Sequence, residues 1–347
     1  MAHLFSEGWD VYGAITDVIG CGKYRWVTTP AGSNPGFGLT AGKFGGRALL
    51  SLTAGYAATI RCDMPKPIPS GSTFYVAGWW KLAFGGGKTT ASPYALVGVN
   101  GFNIISYDGQ YLTLRNGQVT APVATGTTFL ADGYHWIEVS IQLAGANSKV
   151  TAYVDGIQQF SGTYNLGNLP AQDIPVVYIG TDYGVANGLN ALDDFIIWDS
   201  TGADFNTFPM GPRRIGLMNP AGPGDMTQFV SSTGAANWQV ASQAFGNTPI
   251  LADGGTGLYD LYTYSALPYV PKTTVNAVVV NTQAQNPAAD AQHSVMSRIK
   301  SGGVLASGTP KVLVATNTIN TDVFTRDPSG NPWTLASLNA SQIGFGD

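Results

Sequence analysis

"HWIEVSIQLAGANSKVTAYVDGIQQF", His135 to Phe160, decides the fold class. Ile137, Val139, Ile141 and Leu143 alternate with Trp136, Glu138, Ser140 and Gln142, the period of a strand with one buried face. A Gly-Ala-Asn-Ser loop follows, and a second apolar-rich run ends at Asp155-Gly156. That dipeptide between two strand-like runs is a hairpin signal, because glycine tolerates the positive φ of a type I′ turn.

The same grammar extends outward. "STFYVAGWWKLAF" (Ser72–Phe84) places Phe74, Val76, Gly78, Trp80, Leu82 and Phe84 on one face. "FNIISYDGQYLTLRNGQV" (Phe102–Val119) holds two runs around Asp108-Gly109, and Asn116-Gly117 offers a further turn. "IPVVYIGTD" (Ile174–Asp182) and "LDDFIIWD" (Leu192–Asp199) complete a set of short strands punctuated by glycine. Such spacing predicts an all-β sandwich or jelly roll.

Composition agrees. Of 347 residues, 44% are hydrophobic, enough for sizeable cores, and the length suits two domains. Charged residues are 11%, against about a quarter in ordinary soluble proteins. The formal net charge is −4, which gives little charged surface for solubility, so contacts with neighbouring subunits are expected to cover much of it. A secreted β-protein rich in Asn and Ser is the alternative. The faintly acidic balance, with no Lys/Arg run longer than two, lacks the footprint of a nucleic-acid binder. "MAHLFSEGWDVYG" has neither the basic nor the apolar region of a secretory signal, and no run approaches a membrane span. Two cysteines, Cys21 and Cys62, make no disulfide framework. They are read as separate buried thiols, with a single bridge left open.

The order "WIEVSIQL…KVTAYVDGIQ…VVYIGTD…ALDDFIIWD" resembles the concanavalin A-like, laminin-G-like jelly roll, in which a strand ending in a VDG turn and a closing DDF strand recur. The resemblance runs from about Leu4 to Asp199. Further on, "NPAGPGDMTQFVSSTGAANWQVA" (Asn219–Ala241), "GLYDLYTYSALP" (Gly257–Pro268), "SRIKSGG" (Ser297–Gly303) and "FTRDPSGNPWTLASLNASQIGFG" (Phe324–Gly346) are similar to the C-terminal half of tailed-bacteriophage virion structural proteins that carry this jelly roll in front. The expected organisation is a jelly roll over 1–200, a linker over 201–212 and a smaller β-sandwich domain over 213–347, opened by a strand at Arg213-Arg214. Within the last segment, Asp327-Pro328-Ser329-Gly330 reads as a turn. Asn331-Pro332 is read as the cap and first residue of a short helix, with Trp333, Leu335 and Leu338 available to bury and "QIGFG" as the last strand.

Enzyme chemistry finds little footing. Glycoside hydrolysis needs two carboxyl groups flanking the scissile bond. The chain has two glutamates, Glu7 and Glu138, far apart, and Glu138 has no second acid beside it on its strand. Asp193 and Asp194 are adjacent, so in a regular strand they face opposite sides and serve as acceptors for loop amides. His3, His135 and His293 lie without partners at ligand spacing, and His135 reads as a satisfied strand-end histidine. Gly85–Gly87 before Lys88 lacks the spacing of a phosphate loop. No catalytic residue and no cofactor are expected. The jelly-roll resemblance leaves room for a structural calcium at the rim, for which Asp108, Asp155, Asp182 and Asp194 are the candidates by residue type.

Two functions follow. The phage resemblance implies a non-enzymatic virion component, a decoration, fibre or tail-surface protein located on the particle. Its partners would be other virion proteins of capsid, neck or tail and copies of itself, with a trimer expected. The second is a carbohydrate-binding adhesin holding a host surface glycan on the jelly roll. Trp79, Trp80, Tyr94, Tyr107 and Tyr111 are the aromatics available, as sugar-stacking rings or as interface anchors. Adjacent Trp79 and Trp80 must face opposite sides, one inward and one outward.

Overall fold

In a computed structural model of the chain, residues 3–21, 23–28, 37–51, 58–82, 93–117, 121–167, 169, 171–181, 191–201, 204, 206–243, 250–251, 257–267, 274–288 and 293–347 are described. The protein is all-β and divides into two compact units. One comprises Met1–Asp10 and Tyr24–Ile215, the other Val11–Lys23 and Gly216–Asp347.

The first unit is a jelly-roll sandwich. Its strands in chain order are β1 (His3–Glu7), β2 (Tyr24–Thr28), β3 (Phe37–Ala41), β4 (Arg47–Ser51), β5 (Ala58–Ile68), β6 (Thr73–Leu82) and β7 (Tyr94–Val99). There follow β8 (Phe102–Tyr107), β9 (Leu112–Leu114), β10 (Ala124–Thr125), β11 (Gly133–Gln142), β12 (Ser148–Val154), β13 (Ile157–Tyr164), β14 (Ile174–Thr181) and β15 (Ala191–Asp199). One sheet runs β13-β12-β11-β6-β15-β4-β3, with β1 also on β15; the other runs β10-β9-β8-β7-β14-β5-β2. Neighbouring strands are antiparallel throughout.

The alternation fixes which side chains enter the sandwich. Phe74, Val76, Trp80 and Leu82 of β6 and Ile137, Val139 and Ile141 of β11 are buried, in register across the pair. Asp155-Gly156 makes the expected two-residue turn, with φ of 49° and 82° between paired Val154 and Ile157. Asn100-Gly101 does the same between Val99 and Phe102, a hairpin signal the sequence reading passed over. Asp108-Gly109 differs. It opens a four-residue loop between Tyr107 and Leu112, in which Asp108 accepts the amides of Gln110 and Tyr111. Asn116-Gly117 is not a two-residue hairpin either, since β9 pairs next with β10.

The second unit is smaller. Its strands are β16 (Pro220–Pro223), β17 (Val230–Ser231), β18 (Ile250–Leu251), β19 (Tyr259–Tyr264), β20 (Val278–Ala284), β21 (Ser294–Ser301), β22 (Val304–Ser307), β23 (Lys311–Val312), β24 (Thr318–Phe324) and β25 (Gln342–Gly346). The main sheet runs β16-β19-β25-β21-β22, with β23 also on β21, while β20 pairs with β24 and β17 with β18. Val278 and Val280 of β20 share a core with Ile299 of β21, Ile343 of β25, Trp333 and Leu338. Three short helices, α1 (Ile15–Gly20), α2 (Asn237–Ala241) and α3 (Leu335–Asn339), belong to this unit, α1 through the Val11–Lys23 segment. The cap of α3 is Thr334, whose hydroxyl accepts the Ser337 amide, and not Asn331. Asn331 instead closes the Asp327–Gly330 turn, its amide donating to the Asp327 carboxylate.

No strand begins at Arg213-Arg214. The first strand of the second unit is Pro220–Pro223, and the chain up to Ile215 belongs to the first unit. Pro209 and Pro212 lack the amide hydrogens a strand would offer, and Phe208, Met210 and Ile215 bury their side chains against the first sheet instead.

Candidate functional site

The outward face of the first sheet gathers large aromatic side chains from β6, β11 and β15. Tyr75, Ala77 and Trp79 of β6 point outward, opposite Ser140, Glu138 and Trp136 of β11. On the other side of β6, Trp198 and Ile196 of β15 lie opposite Tyr75 and Ala77. The result is an aromatic floor that includes the Glu138 carboxylate.

Residues 208–215 form a strap over that floor. Phe208 stacks on Tyr75 with ring centroids 5.1 Å apart and meets Tyr153 edge-on at 5.7 Å. Met210 and Ile215 pack on the cluster of Tyr75, Ala77, Trp136, Ile196 and Trp198. Glu138 is fully buried beneath it. Its Oε1 accepts the Met210 amide at 2.7 Å and its Oε2 accepts the Gly211 amide at 3.0 Å. Gly211 holds a φ of 75°, which favours glycine at this bend. The Trp79 indole N–H donates to the Arg213 carbonyl at 2.9 Å, and Asp194 Oδ1 accepts the Ile215 amide at 2.8 Å. Burial pushes the Glu138 carboxyl above its ordinary range, with the two strap amides opposing.

Asp193 and Asp194 do not face opposite sides. A bulge between Asp193 and Ile196, with Asp194 at φ 50°, breaks the alternation and leaves both carboxyls accepting loop amides. Asp193 accepts the amides of Lys43 at 2.8 Å and Asp194 at 2.9 Å. Burial, with the Asp193 charge second, pushes Asp194 up to about 8; burial pushes Asp193 up to about 6. Gly42 is needed here, since a Cβ would lie 2.5 Å from Asp193 Oδ2.

The five candidate aromatics do not form one cluster. Trp80 is inside the sandwich, edge-on to Phe195 at 6.0 Å. Tyr94 and Tyr107 stack on each other at 6.3 Å, buried in the second sheet. Of the five, Trp79 and Tyr111 reach the surface, Trp79 from β6 of one sheet and Tyr111 from the loop between β8 and β9 of the other. Trp79 is therefore the outward member of its pair, half-covered by the strap. Tyr111 meets exposed Phe129 edge-on. Residues the sequence reading did not select complete the Trp79 rim. Lys43 Nζ lies 4.8 Å from the Trp79 ring centroid and 5.7 Å from that of Tyr134, and the Arg214 guanidinium lies 5.0 Å from that of Phe44.

The calcium candidates are likewise scattered. Asp108 serves its own turn. Asp155 accepts the Trp136 amide at 2.9 Å and a bond from His135 Nδ1 at 2.7 Å. Asp194 holds the strap, and Asp182 lies outside the described residues. Among the described residues no group of three His, Cys, Asp or Glu could hold a metal ion. His135 is a strand-end histidine satisfied on both ring nitrogens, Nε2 by the Ala131 carbonyl at 2.8 Å. Glu7 accepts the Trp9 amide and the Tyr24 hydroxyl. Cys21 and Cys62 are buried and not joined in a disulfide, and the Cys21 thiol donates to the Val18 carbonyl. Gly85–Gly87 lies outside the described residues. No helix among the described residues is long and apolar enough to cross a membrane.

No protein-family model matches the chain, and no curated protein matches it. Among solved structures, the T. cruzi calreticulin globular domain is 12% identical with a TM-score of 0.37, over 57% of this chain and 88% of its own. Alginate lyase Aly36B is 10% identical with a TM-score of 0.39, over 57% and 97%. The receptor binding domain of botulinum neurotoxin D is 12% identical with a TM-score of 0.34, over 51% and 44%. Likenesses this slight assign no activity to this chain.

Proposed function

We propose that the chain is a non-enzymatic structural protein that works through protein–protein contacts, on a tailed-bacteriophage particle as decoration, fibre or tail-surface component. The observation that carries the non-enzymatic part is that the carboxylates of this sheet face serve its own backbone: Glu138 is fully buried with both oxygens accepting strap amides, Asp194 accepts the Ile215 amide, and Asp193 accepts those of Lys43 and Asp194. General acid–base chemistry needs a carboxyl that can reach substrate, and hydrolysis of a glycoside needs two. The assembly part is supported by the low charge fraction and by apolar side chains left exposed on one edge of the second unit, Val304, Leu305, Val312 and Val314. The placement on a phage particle rests on the sequence resemblance alone.

Light scattering of the purified chain, together with its copy number per purified particle, tests this reading. A homo-oligomer, with a trimer expected, and no hydrolysis of β-glucan, peptidoglycan or capsule polysaccharide are the expected results. Reducing-end release that disappears in Glu138→Gln would overturn it. A glycan-binding role for the jelly roll is the second reading, favoured by the Phe44, Trp79 and Tyr134 rim with its two cations. Glycan-array binding lost in Phe44→Ala would favour that role.

A further inference from the structure

The second unit contains a pocket of its own, of about 330 Å³. That volume falls at the small end of ligand sites, which run from about 300 Å³ upward. Its walls are Pro223, Phe229, Val230 and Tyr262 on the apolar side, with Thr227, Ser231, Asn237 and Trp238 adding polar atoms. Among the described residues no charged side chain lines it.

The polar wall is built rather than incidental. Asp260 is fully buried at the back, its Oδ1 accepting the amides of Gln228 and Phe229 and its Oδ2 accepting the Tyr262 hydroxyl at 3.0 Å. The same Oδ2 accepts Asn237 Nδ2, which also donates to the Phe229 carbonyl. Both amide hydrogens of Asn237 are thereby spent, so the orientation of its side chain is fixed and its Oδ1 is the atom left to accept. Asn237 is only 6% exposed, and among the described residues that Oδ1 has no hydrogen-bond partner. Trp238, half-buried, lines the pocket beside it with an aromatic side chain that carries an indole N–H. Thr227 adds a hydroxyl.

We propose that this pocket binds a neutral pyranose, the terminal sugar of an uncharged glycan. An aromatic face beside a fixed acceptor, an indole donor and a hydroxyl suits a flat, polyhydroxylated ring, whose C–H face stacks while its edge hydrogen-bonds. The absence of a lining charge disfavours uronic and sialic acids, which would lose hydration of the carboxylate without a counter-charge. A purely apolar ligand would leave Asn237 Oδ1 unpaired and buried. The site lies in the second unit and does not depend on any glycan role of the jelly roll.

Saturation-transfer NMR on the full chain, with methyl glucoside, methyl galactoside, methyl mannoside and N-acetylglucosamine against glucuronate and cyclohexanol, tests the assignment. At least one neutral pyranoside is expected to receive saturation, and the two controls are not. Trp238→Ala should weaken that binding tenfold or more, and Thr227→Ala several-fold, with the second unit's melting temperature checked in both. Thr227 is exposed, so its variant keeps the test valid even if Trp238→Ala unfolds. Binding unchanged in Thr227→Ala, a preference for glucuronate or cyclohexanol, or no binding of any neutral pyranoside each overturns the proposal.

Discussion

Replacing Glu138 by alanine would leave the Met210 and Gly211 amides without their acceptor. Each buried, unpaired donor costs about 1–3 kcal/mol, so the first unit should lose several degrees of melting temperature and the strap should become open to protease. Glu138→Gln keeps one carbonyl acceptor and should lose less. Equal cleavage rates in the wild type and Glu138→Ala would show that Phe208, Met210 and Ile215 hold the strap unaided. His135 carries a second test at this scale. Both its ring nitrogens meet acceptors, the Asp155 carboxylate and the Ala131 carbonyl, which only the imidazolium can satisfy together. Its pKa is raised, first by the bond to Asp155. The stability it contributes is therefore full below the unfolded value of about 6.5 and is lost as pH rises through the folded one. Asp155→Asn, which keeps a turn-forming residue before Gly156, should flatten stability between pH 6 and 8; an unaltered profile would refute the charged pair. The Trp79–Trp80 split was legible, because alternation alone demands it. Glu138's burial was not, because the strap that covers it comes from residues 70 or more positions away.

At the scale of elements, strand β15 shows why local pattern falls short. Leu192 to Asp199 reads as a regular strand, yet a left-handed Asp194 inserts a bulge that no alternation rule anticipates. The consequence is a pair of carboxyls whose folded pKa values lie above the unfolded ones, with burial the main cause. Folding of this region is therefore favoured below the unfolded carboxylate pKa of about 3.9 and progressively loses that advantage as pH rises toward 8. Denaturant titrations at pH 5 and pH 9 should find the first unit weaker at the higher pH, with Asp194→Asn reducing the difference; a larger difference in that variant would reverse the assignment. Helix α3 exists but begins at Leu335 rather than at Pro332, and of the three apolar candidates Trp333 and Leu338 bury while Leu335 stays half-buried. Its cap was misread because Asn331 and Thr334 are both good caps and only the turn geometry at Asp327 decides between them. Trp333, 3% exposed and bonded through its indole to the Phe324 carbonyl, anchors the second unit's core. Trp333→Ala should cost that unit about 3–5 kcal/mol and leave the first unit's transition in place. Superimposable melting curves would mean the core closes without it.

At the scale of the whole molecule, two β-units were legible from the two sets of strands, but their boundaries were not. Glycine, serine and asparagine between Asp199 and Phe208 look like a bridge, whereas packing carries the first unit on to Ile215. Nothing in "VYGAITDVIGCGK" announces that it belongs with Gly216–Asp347, where the Ile319 amide donates to the Cys21 carbonyl at 3.2 Å. A fragment of Gly216–Asp347 should therefore melt higher when a peptide of Val11–Lys23 is added. Identical curves with and without the peptide would detach that segment from the unit. Strand order adds a consequence for synthesis on the ribosome. In the second unit's main sheet, β25 lies between β19 and β21, yet it is translated after every other strand there. Until it emerges, the nascent chain holds two strands with no middle, each a sticky edge in a crowded cell. Ribosomes pausing shortly before Gln342 would thus prolong the stage at which the growing chain most needs a chaperone.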